Sequence, residues 1–111
     1  MGVKEPRGEL VQGTLDLLIL KSLAREARHG WAIAKLIQQS SKDVLRVEEG
    51  SLYPALRRLE RDGFVTGAWS PSENNRRARY YSLTPLGRRK LQKAHDHWRT
   101  LVRAMSLVLE T

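Results

Sequence analysis

Apolar side chains recur at helical spacing in three stretches of the N-terminal half of the chain. The first stretch, which ends near Arg25, is apolar on nearly every side and predicts a helix at the centre of the fold. A break at Ala27 to Gly30 separates it from a second helix that begins at Trp31 and ends near Ser41. Residues 48–63 then predict a third helix, and this one has two different faces.

One face of the third helix is apolar and the other is basic. Its apolar positions form a single stripe: Leu52, Ala55, Leu56 and Leu59. Ser51 is expected to cap the helix, and Gly63 is expected to take the left-handed conformation that ends it. The outward positions are polar or basic: Tyr53, Arg57, Arg58 and Arg61. A helix that is anchored on one side and carries arginines on the other suits the major groove of B-DNA.

After Gly63 the period changes from that of a helix to that of a strand. Phe64 to Trp69 and Ala78 to Leu83 are short and rich in aromatic and β-branched residues, and they predict two strands joined as a hairpin. The hairpin carries three arginines at its loop and at the start of its second strand: Arg76, Arg77 and Arg79. Such a cluster can be a solvated tip. Beside a basic helix, however, it favours contact with phosphate or the minor groove.

Thr84 and Pro85 predict the start of a last helix, which runs unbroken to about Leu109. Its apolar positions step by three and four residues like the seam of a coiled coil: Leu91, Ala94, Trp98, Leu101, Met105 and Val108. This seam could pack back on its own domain. Pairing with a second subunit is favoured, because a rod of roughly 35 Å would project beyond a unit that the preceding elements already close.

Charge narrows the range of partners. The 111 residues include 20 Lys and Arg against 12 Asp and Glu, which gives a net charge of +8 and favours a polyanionic partner. There is no cysteine, no apolar run near the length of about 20 residues that spans a bilayer, and no signal peptide pattern. These features predict a cytoplasmic protein. The order of elements predicts a mainly α fold with a small β-hairpin, namely a winged helix-turn-helix.

The combined motifs resemble those of the PadR family of bacterial transcriptional regulators, in particular its short members. The main motif is Gly50-Ser-Leu-Tyr-Pro-Ala-Leu-Arg-Arg-Leu-Glu-Arg-Asp-Gly63. It is preceded by His29-Gly-Trp-Ala-Ile and followed by Arg77-Ala-Arg-Tyr-Tyr-Ser-Leu-Thr-Pro-Leu-Gly87. Trp31 departs from the family pattern, in which Tyr is more usual. The resemblance covers about residues 13–98 and implies a flexible arm (1–12), a DNA-binding domain (13–84) and a C-terminal dimerisation helix (85–111).

The resemblance also implies roles for individual residues. It implies a homodimer that binds an inverted-repeat operator in double-stranded DNA. Members of the family usually act as repressors, and some are released from DNA by small aromatic ligands. The recognition-helix contacts would be Ser51, Tyr53, Arg57, Arg58 and Arg61, and the wing contacts Arg76, Arg77 and Arg79. Trp98 would lie near the dimer axis and could line an effector pocket, although an aromatic residue in a seam is more often part of a core.

Other classes of function fit the sequence less well. His95 and His97 point to different faces of a helix and do not predict a metal site, and His29 is expected to cap or pack at a helix junction. No motif brings a nucleophile to a base, so neither an enzyme nor a cofactor is predicted. The alternative is a winged-helix module that binds another protein, although its basic residues would not need to concentrate on one helix and one loop. A membrane surface fits least, because the last helix has a mixed polar face.

Overall fold

The computed structural model describes residues 12–111, in which four helices and three strands form one unit. The helices are α1 (Gln12–Ser22), α2 (Gly30–Ser40), α3 (Glu49–Arg61) and α4 (Pro85–Leu109). The strands are β1 (Arg28–His29), β2 (Val65–Pro71) and β3 (Arg77–Leu83). The predicted fold class is confirmed. The predicted arm lies outside the described residues, apart from its last position, where α1 begins.

α1 lies at the centre of the core, as its uniformly apolar sequence predicts. Leu15, Ile19 and Leu20 are 5%, 0% and 0% exposed, which no amphipathic surface helix would show on so many sides. The other elements close around it with fully buried side chains: Ile33, Leu52, Leu56 and Val65. The predicted stripe of α3 is therefore confirmed as part of the core, and the opposite face of α3 is turned away from it.

The sheet has three strands in the order β1-β3-β2, whereas the sequence predicts two. β1 pairs with β3 through Arg28 opposite Tyr81 and His29 opposite Tyr80. Two residues are too few for a period of two to be visible, so no sequence pattern signals this strand. β2 and β3 form the predicted hairpin, with Trp69 opposite Arg79.

A compact turn ends α3 and starts the wing, the hairpin formed by β2 and β3. Gly63 has a φ of +85°, which confirms the predicted left-handed position. The amide of Phe64 donates to the Leu59 carbonyl at 2.9 Å, and the amide of Gly63 donates to the Glu60 carbonyl at 3.1 Å. These two bonds form a Schellman motif, so the last carbonyls of α3 are satisfied where the chain turns into β2.

The start of α4 is joined to the same turn. The Thr84 hydroxyl accepts from the amide of Gly87 at 2.9 Å, which confirms the predicted cap, and donates to the Gly63 carbonyl at 2.7 Å. Gly87 packs so closely that a Cβ there would lie 2.0 Å from the carbonyl oxygen of Phe64. The end of α3, the base of the wing and the start of α4 therefore hold a fixed arrangement. No helix within residues 12–111 is long and apolar enough to cross a membrane.

Candidate nucleic-acid interface

The outward face of α3 presents Arg57 and Arg61. Both are exposed and lie four residues apart, so they project from one side of the helix, opposite the buried stripe. Arg61 pairs with its chain neighbour Asp62 at 3.1 Å, yet 70% of the Arg61 side chain remains accessible. Gly50 and Pro54 occupy the same side of α3 and project little. The two guanidinium groups can therefore reach a ligand that lies along this face.

Ser51 lies inside α3 rather than at its cap, so the predicted helix start is wrong. The N-cap is Glu48, which has extended backbone and makes no side-chain capping bond. The helix begins earlier because the carbonyl of Glu48 already accepts from the amides of Ser51 and Leu52, at 3.0 and 2.9 Å. The half-buried Ser51 side chain lies at the margin of the outward face.

Tyr53 forms the opposite margin of the outward face. Its half-buried ring packs on Gly30 at the start of α2, where a Cβ would lie 2.7 Å from the Tyr53 hydroxyl oxygen. Burial, followed by the charge of Glu49, raises the pKa of Tyr53 above its ordinary value. The hydroxyl is therefore a neutral donor at physiological pH, which suits both packing and a hydrogen bond to phosphate.

Arg58 does not project with Arg57 and Arg61. Its Nη2 lies 2.6 Å from Oδ1 of Asp16 on α1, and both side chains are largely buried, at 25% and 18% exposed. Desolvation by burial raises the pKa of Asp16 above its ordinary value, although the charge and hydrogen bond of Arg58 act in the opposite direction. Arg58 is thus bound to the core helix, and its predicted contact with DNA stays a prediction.

Arg79 is bound within the protein in a similar way. Its Nη2 lies 2.5 Å from Oε2 of Glu60 on α3. The guanidinium lies flat over Gly67, where a Cβ would be 2.7 Å from Nε, and its Cζ is 5.9 Å from the centroids of the Trp69 and Tyr81 rings. Arg79 therefore ties the wing to α3, and its own contact with DNA also stays a prediction.

Arg76 and Arg77 lie at the wing tip, and both are exposed. The tip is a tight turn in which the amide of Ser72 donates to the Arg76 carbonyl at 2.7 Å, and Asn75 has a φ of +66°. This turn fixes the backbone that carries the two arginines, which line a groove together with Tyr53 of α3. They are the wing arginines that remain accessible to a polyanion.

Sequence reasoning gave no role to Trp69, which is 57% exposed at the base of this tip. The Cζ of Arg77 lies 5.2 Å from the ring centroid, a cation–π distance that orients the guanidinium. Alternation along β2 could have indicated where Trp69 lies, because residues 65, 67 and 69 share one face of the strand and Val65 on that face is buried. Asp16 also carried a signal, as an acid in an otherwise apolar core helix.

His29 takes the capping role expected of it. Its Nδ1 accepts from the amide of Ala32 at 3.2 Å and so closes the N-terminus of α2. His95 and His97 lie on α4. Within residues 12–111, no three His, Cys, Asp or Glu side chains come together in a way that could hold a metal ion.

The seam predicted along the last helix divides into two parts. Leu91 and Ala94 are half-buried, and Leu91 packs against the core of its own chain. From Trp98 onward the seam is open: Trp98, Leu101 and Met105 are 44%, 43% and 52% exposed. A groove of about 430 Å³ separates the middle of α4 from α1, and its apolar lining includes Leu17, Leu20 and Trp98.

Taken together, these features define a winged helix-turn-helix: α2 and α3 form the helix pair, and the wing follows with exposed arginines. Residues 19–93 match the transcriptional regulator PadR-like family over more than half of the chain. The chain belongs to this family of transcriptional regulators.

Relatives and solved structures agree with this assignment. A transcriptional regulator of Mycobacterium tuberculosis is 37% identical over 83 residues, which cover 75% of this chain and 74% of that protein. A PadR family regulator from Eggerthella lenta is 33% identical, with a TM-score of 0.78 over 93% of this chain and 88% of that one. Another from Clostridium difficile is 30% identical, with a TM-score of 0.74 over 86% and 97%.

Proposed function

We propose that this regulator binds double-stranded DNA, with α3 in the major groove and the wing against the adjacent backbone or minor groove. The observation that carries the proposal is the pair Arg57 and Arg61, exposed on a helix whose opposite stripe is fully buried. Guanidinium groups are permanently charged forks that fit guanine edges and phosphate oxygens. Arg76 and Arg77 extend the same basic surface to the wing, while Ser51 and Tyr53 lie at its margins.

The test is a salt titration of binding to the DNA upstream of the protein's own gene. Affinity should fall steeply with salt, because each neutralised phosphate releases counterions. Arg57→Ala should weaken binding by roughly 10-fold, a change typical of one lost guanidinium contact. Arg103→Ala removes an exposed arginine near the end of α4 and serves as the control. Salt-insensitive or absent binding would contradict the proposal and favour the protein-interaction module.

We also propose that the regulator is a homodimer held by α4. This agrees with the predicted role of residues 85–111 as a C-terminal dimerisation helix. Support comes from the open part of the seam, where Trp98, Leu101 and Met105 stand exposed on a helix of 25 residues. A two-fold pair would bind an inverted repeat whose half-sites lie about one helical turn, near 34 Å, apart. Light scattering gives the mass, and footprinting gives the spacing. A monomer, or a single protected half-site, would contradict this part.

The regulatory outcome proposed is repression, relieved by a small planar aromatic ligand. The groove beside Trp98 supports this, because its apolar walls are open to a flat molecule and lie where the two copies would meet. A reporter under the upstream promoter should rise when the gene is deleted. A panel of planar aromatic acids and amines should release DNA from the native protein but not from Trp98→Ala. Release from both proteins would exclude this groove as the effector site.

A further inference from the structure

Two ion pairs hold α3 from opposite sides. Arg58 and Glu60 are two positions apart, so they leave the helix about 200° apart at about 100° per residue. Arg58 reaches Asp16 of α1 at 2.6 Å, and Glu60 reaches Arg79 of the wing at 2.5 Å. Arg57, which is proposed to bind DNA, leaves the helix between these two side chains.

These pairs differ in kind from the other ion pairs within residues 12–111. The others join residues no more than three positions apart, and at least one partner is well exposed. Asp16 and Arg58 are 42 positions apart, Glu60 and Arg79 are 19 apart, and all four side chains are at most 33% exposed. Exposed pairs between chain neighbours contribute little to structure, whereas partly buried pairs between elements restrict how the elements meet.

The surroundings of each ion pair indicate that it fixes the direction of α3 rather than adding much to the stability of the fold. Arg79 is confined over Gly67 and beside the Trp69 ring, so its guanidinium has few other positions available. At Asp16 the desolvation cost outweighs the attraction of Arg58, since the pKa of the carboxyl is raised despite the ion pair. A pair that adds little net stability can still fix the direction of the helix that it holds.

We propose that Asp16 and Glu60 are positioning residues for DNA recognition. Through them, Arg58 and Arg79 set the angle of α3 relative to α1 and to the wing, and neither arginine needs to touch DNA itself. The proposal rests on the DNA binding proposed above. It separates the arginines of the interface into a contacting group, Arg57 and Arg61, and an orienting group, Arg58 and Arg79.

The sign of one substitution tests the proposal. Glu60→Gln removes a negative charge beside the DNA surface, so a purely electrostatic effect would tighten binding. Positioning predicts the opposite, a loss of about 10-fold, the size typical of coupled residues in one network. The matched control is Glu73→Gln, an exposed acid at the wing tip that makes no ion pair with another described residue. It should bind as tightly as the native protein or more tightly. Circular dichroism confirms that each variant is folded.

A double-mutant cycle separates positioning from direct contact. If Arg79 acts through Glu60, then Glu60→Gln, Arg79→Gln and the double variant should lose similar affinity, with the salt slope of the native protein. If Arg79 neutralises a phosphate, Arg79→Gln alone should lose affinity and lower the salt slope by about one. Asp16→Asn and Arg58→Gln form the same cycle on the other flank.

Three outcomes would overturn the proposal while leaving DNA binding intact. The first is a Glu60→Gln variant that binds like Glu73→Gln, and the second is additive losses in the cycle. If a single variant does not fold, the exchanged pair Glu60→Arg with Arg79→Glu decides. Restored folding together with restored affinity supports positioning, and restored folding without affinity, the third outcome, overturns it. Native protein that binds no DNA would instead refute the function proposed above.

Discussion

α3 and α4 follow the same sequence rule and end in opposite situations. Both carry apolar residues every three or four positions, yet Leu52, Leu56 and Leu59 of α3 are at most 2% exposed within their own chain. On α4, the seam from Trp98 onward is open, and Val108 at its end is 70% exposed. An amphipathic pattern thus predicts that one face of a helix will be covered. It does not tell whether the cover comes from the same chain.

The difference has a simple geometric origin. α3 has 13 residues and lies over α1 and β2, so the core is long enough to cover its whole stripe. α4 has 25 residues, and the core packs against Leu91 near its start. At 1.5 Å per residue, the part of α4 that follows Leu91 extends roughly 27 Å past this contact. The comparison therefore predicts different consequences for changing an apolar residue on each helix.

The largest effect is expected on the covered face. Leu56→Ala removes a side chain that is 0% exposed, so it leaves a cavity in the core. The free energy of unfolding should fall by about 2–5 kcal/mol, as for other buried leucines. Urea denaturation followed by circular dichroism measures this loss. A loss near zero would mean that α3 is not anchored by its stripe, and the comparison with α4 would fail.

The next effect is expected on the open face and concerns assembly. Leu101→Glu places a charge in the seam and should weaken the proposed dimer by about 2 kcal/mol or more, roughly 30-fold in dissociation constant. Leu107→Glu is the matched control, because Leu107 is 69% exposed on the same helix but points away from the seam. Light scattering across a dilution series should show more monomer for Leu101→Glu than for the control. Equal behaviour of the two variants would remove the seam as the interface.

A smaller effect is expected when the two glycines of the α3 segment are replaced by alanine, and the free energy of unfolding should change in opposite directions. Gly63→Ala forces an alanine into a φ of +85° and should destabilise by about 1–2 kcal/mol. Gly50→Ala adds a Cβ in open space within the helix and should stabilise by up to about 1 kcal/mol. Thermal unfolding of the two variants measures both changes. Two changes of the same sign would show that backbone conformation does not control how α3 ends.

The smallest effect concerns the pH dependence of Asp16. Because its pKa is raised in the folded state, the native protein holds a proton there more tightly than the unfolded chain does. The stability that this carboxyl contributes is therefore present in acid and is lost as pH rises through the folded pKa. The stability of the native protein relative to Asp16→Asn should increase as pH is lowered from neutral. A difference that shrank instead would mean that Arg58 dominates over desolvation.

Local patterns predicted most of the fold. The turn at Gly63, the cap at Thr84 and the ends of α4 follow from residues close in sequence, and all three are confirmed. The predicted cap at Ser51 is wrong, because the helix already begins with backbone hydrogen bonds to the Glu48 carbonyl and has no side-chain cap. β1 was missed because two residues show no period, and its pairing depends on β3, about fifty positions later.

For the arginines of α3 and the wing, the sequence predicts which side chains are exposed on α3 but not which are paired within the protein. Arg57 and Arg61 are outward by helical spacing alone, which the sequence shows. The ion pairs of Arg58 with Asp16 and of Arg79 with Glu60 join residues that are 42 and 19 positions apart in the sequence. They therefore depend on how separate elements pack together. A charge pattern on one helix cannot show such partners, because they lie on other elements of the fold.

The close packing of Gly87 on Phe64 constrains the angle at which α4 leaves the core. A Cβ at this position would lie 2.0 Å from the Phe64 carbonyl oxygen, so any larger residue would force the Phe64 backbone or the start of α4 to shift. A tilt of about 10° at the start of a rod of about 37 Å would move its far end by roughly 6 Å, given 1.5 Å per residue. If the far ends join two copies, that displacement is comparable with the rise of two base pairs. The absence of a side chain at Gly87 thus helps to fix the distance between the two DNA-binding units of such a pair, and with it the spacing of the half-sites that they could bind.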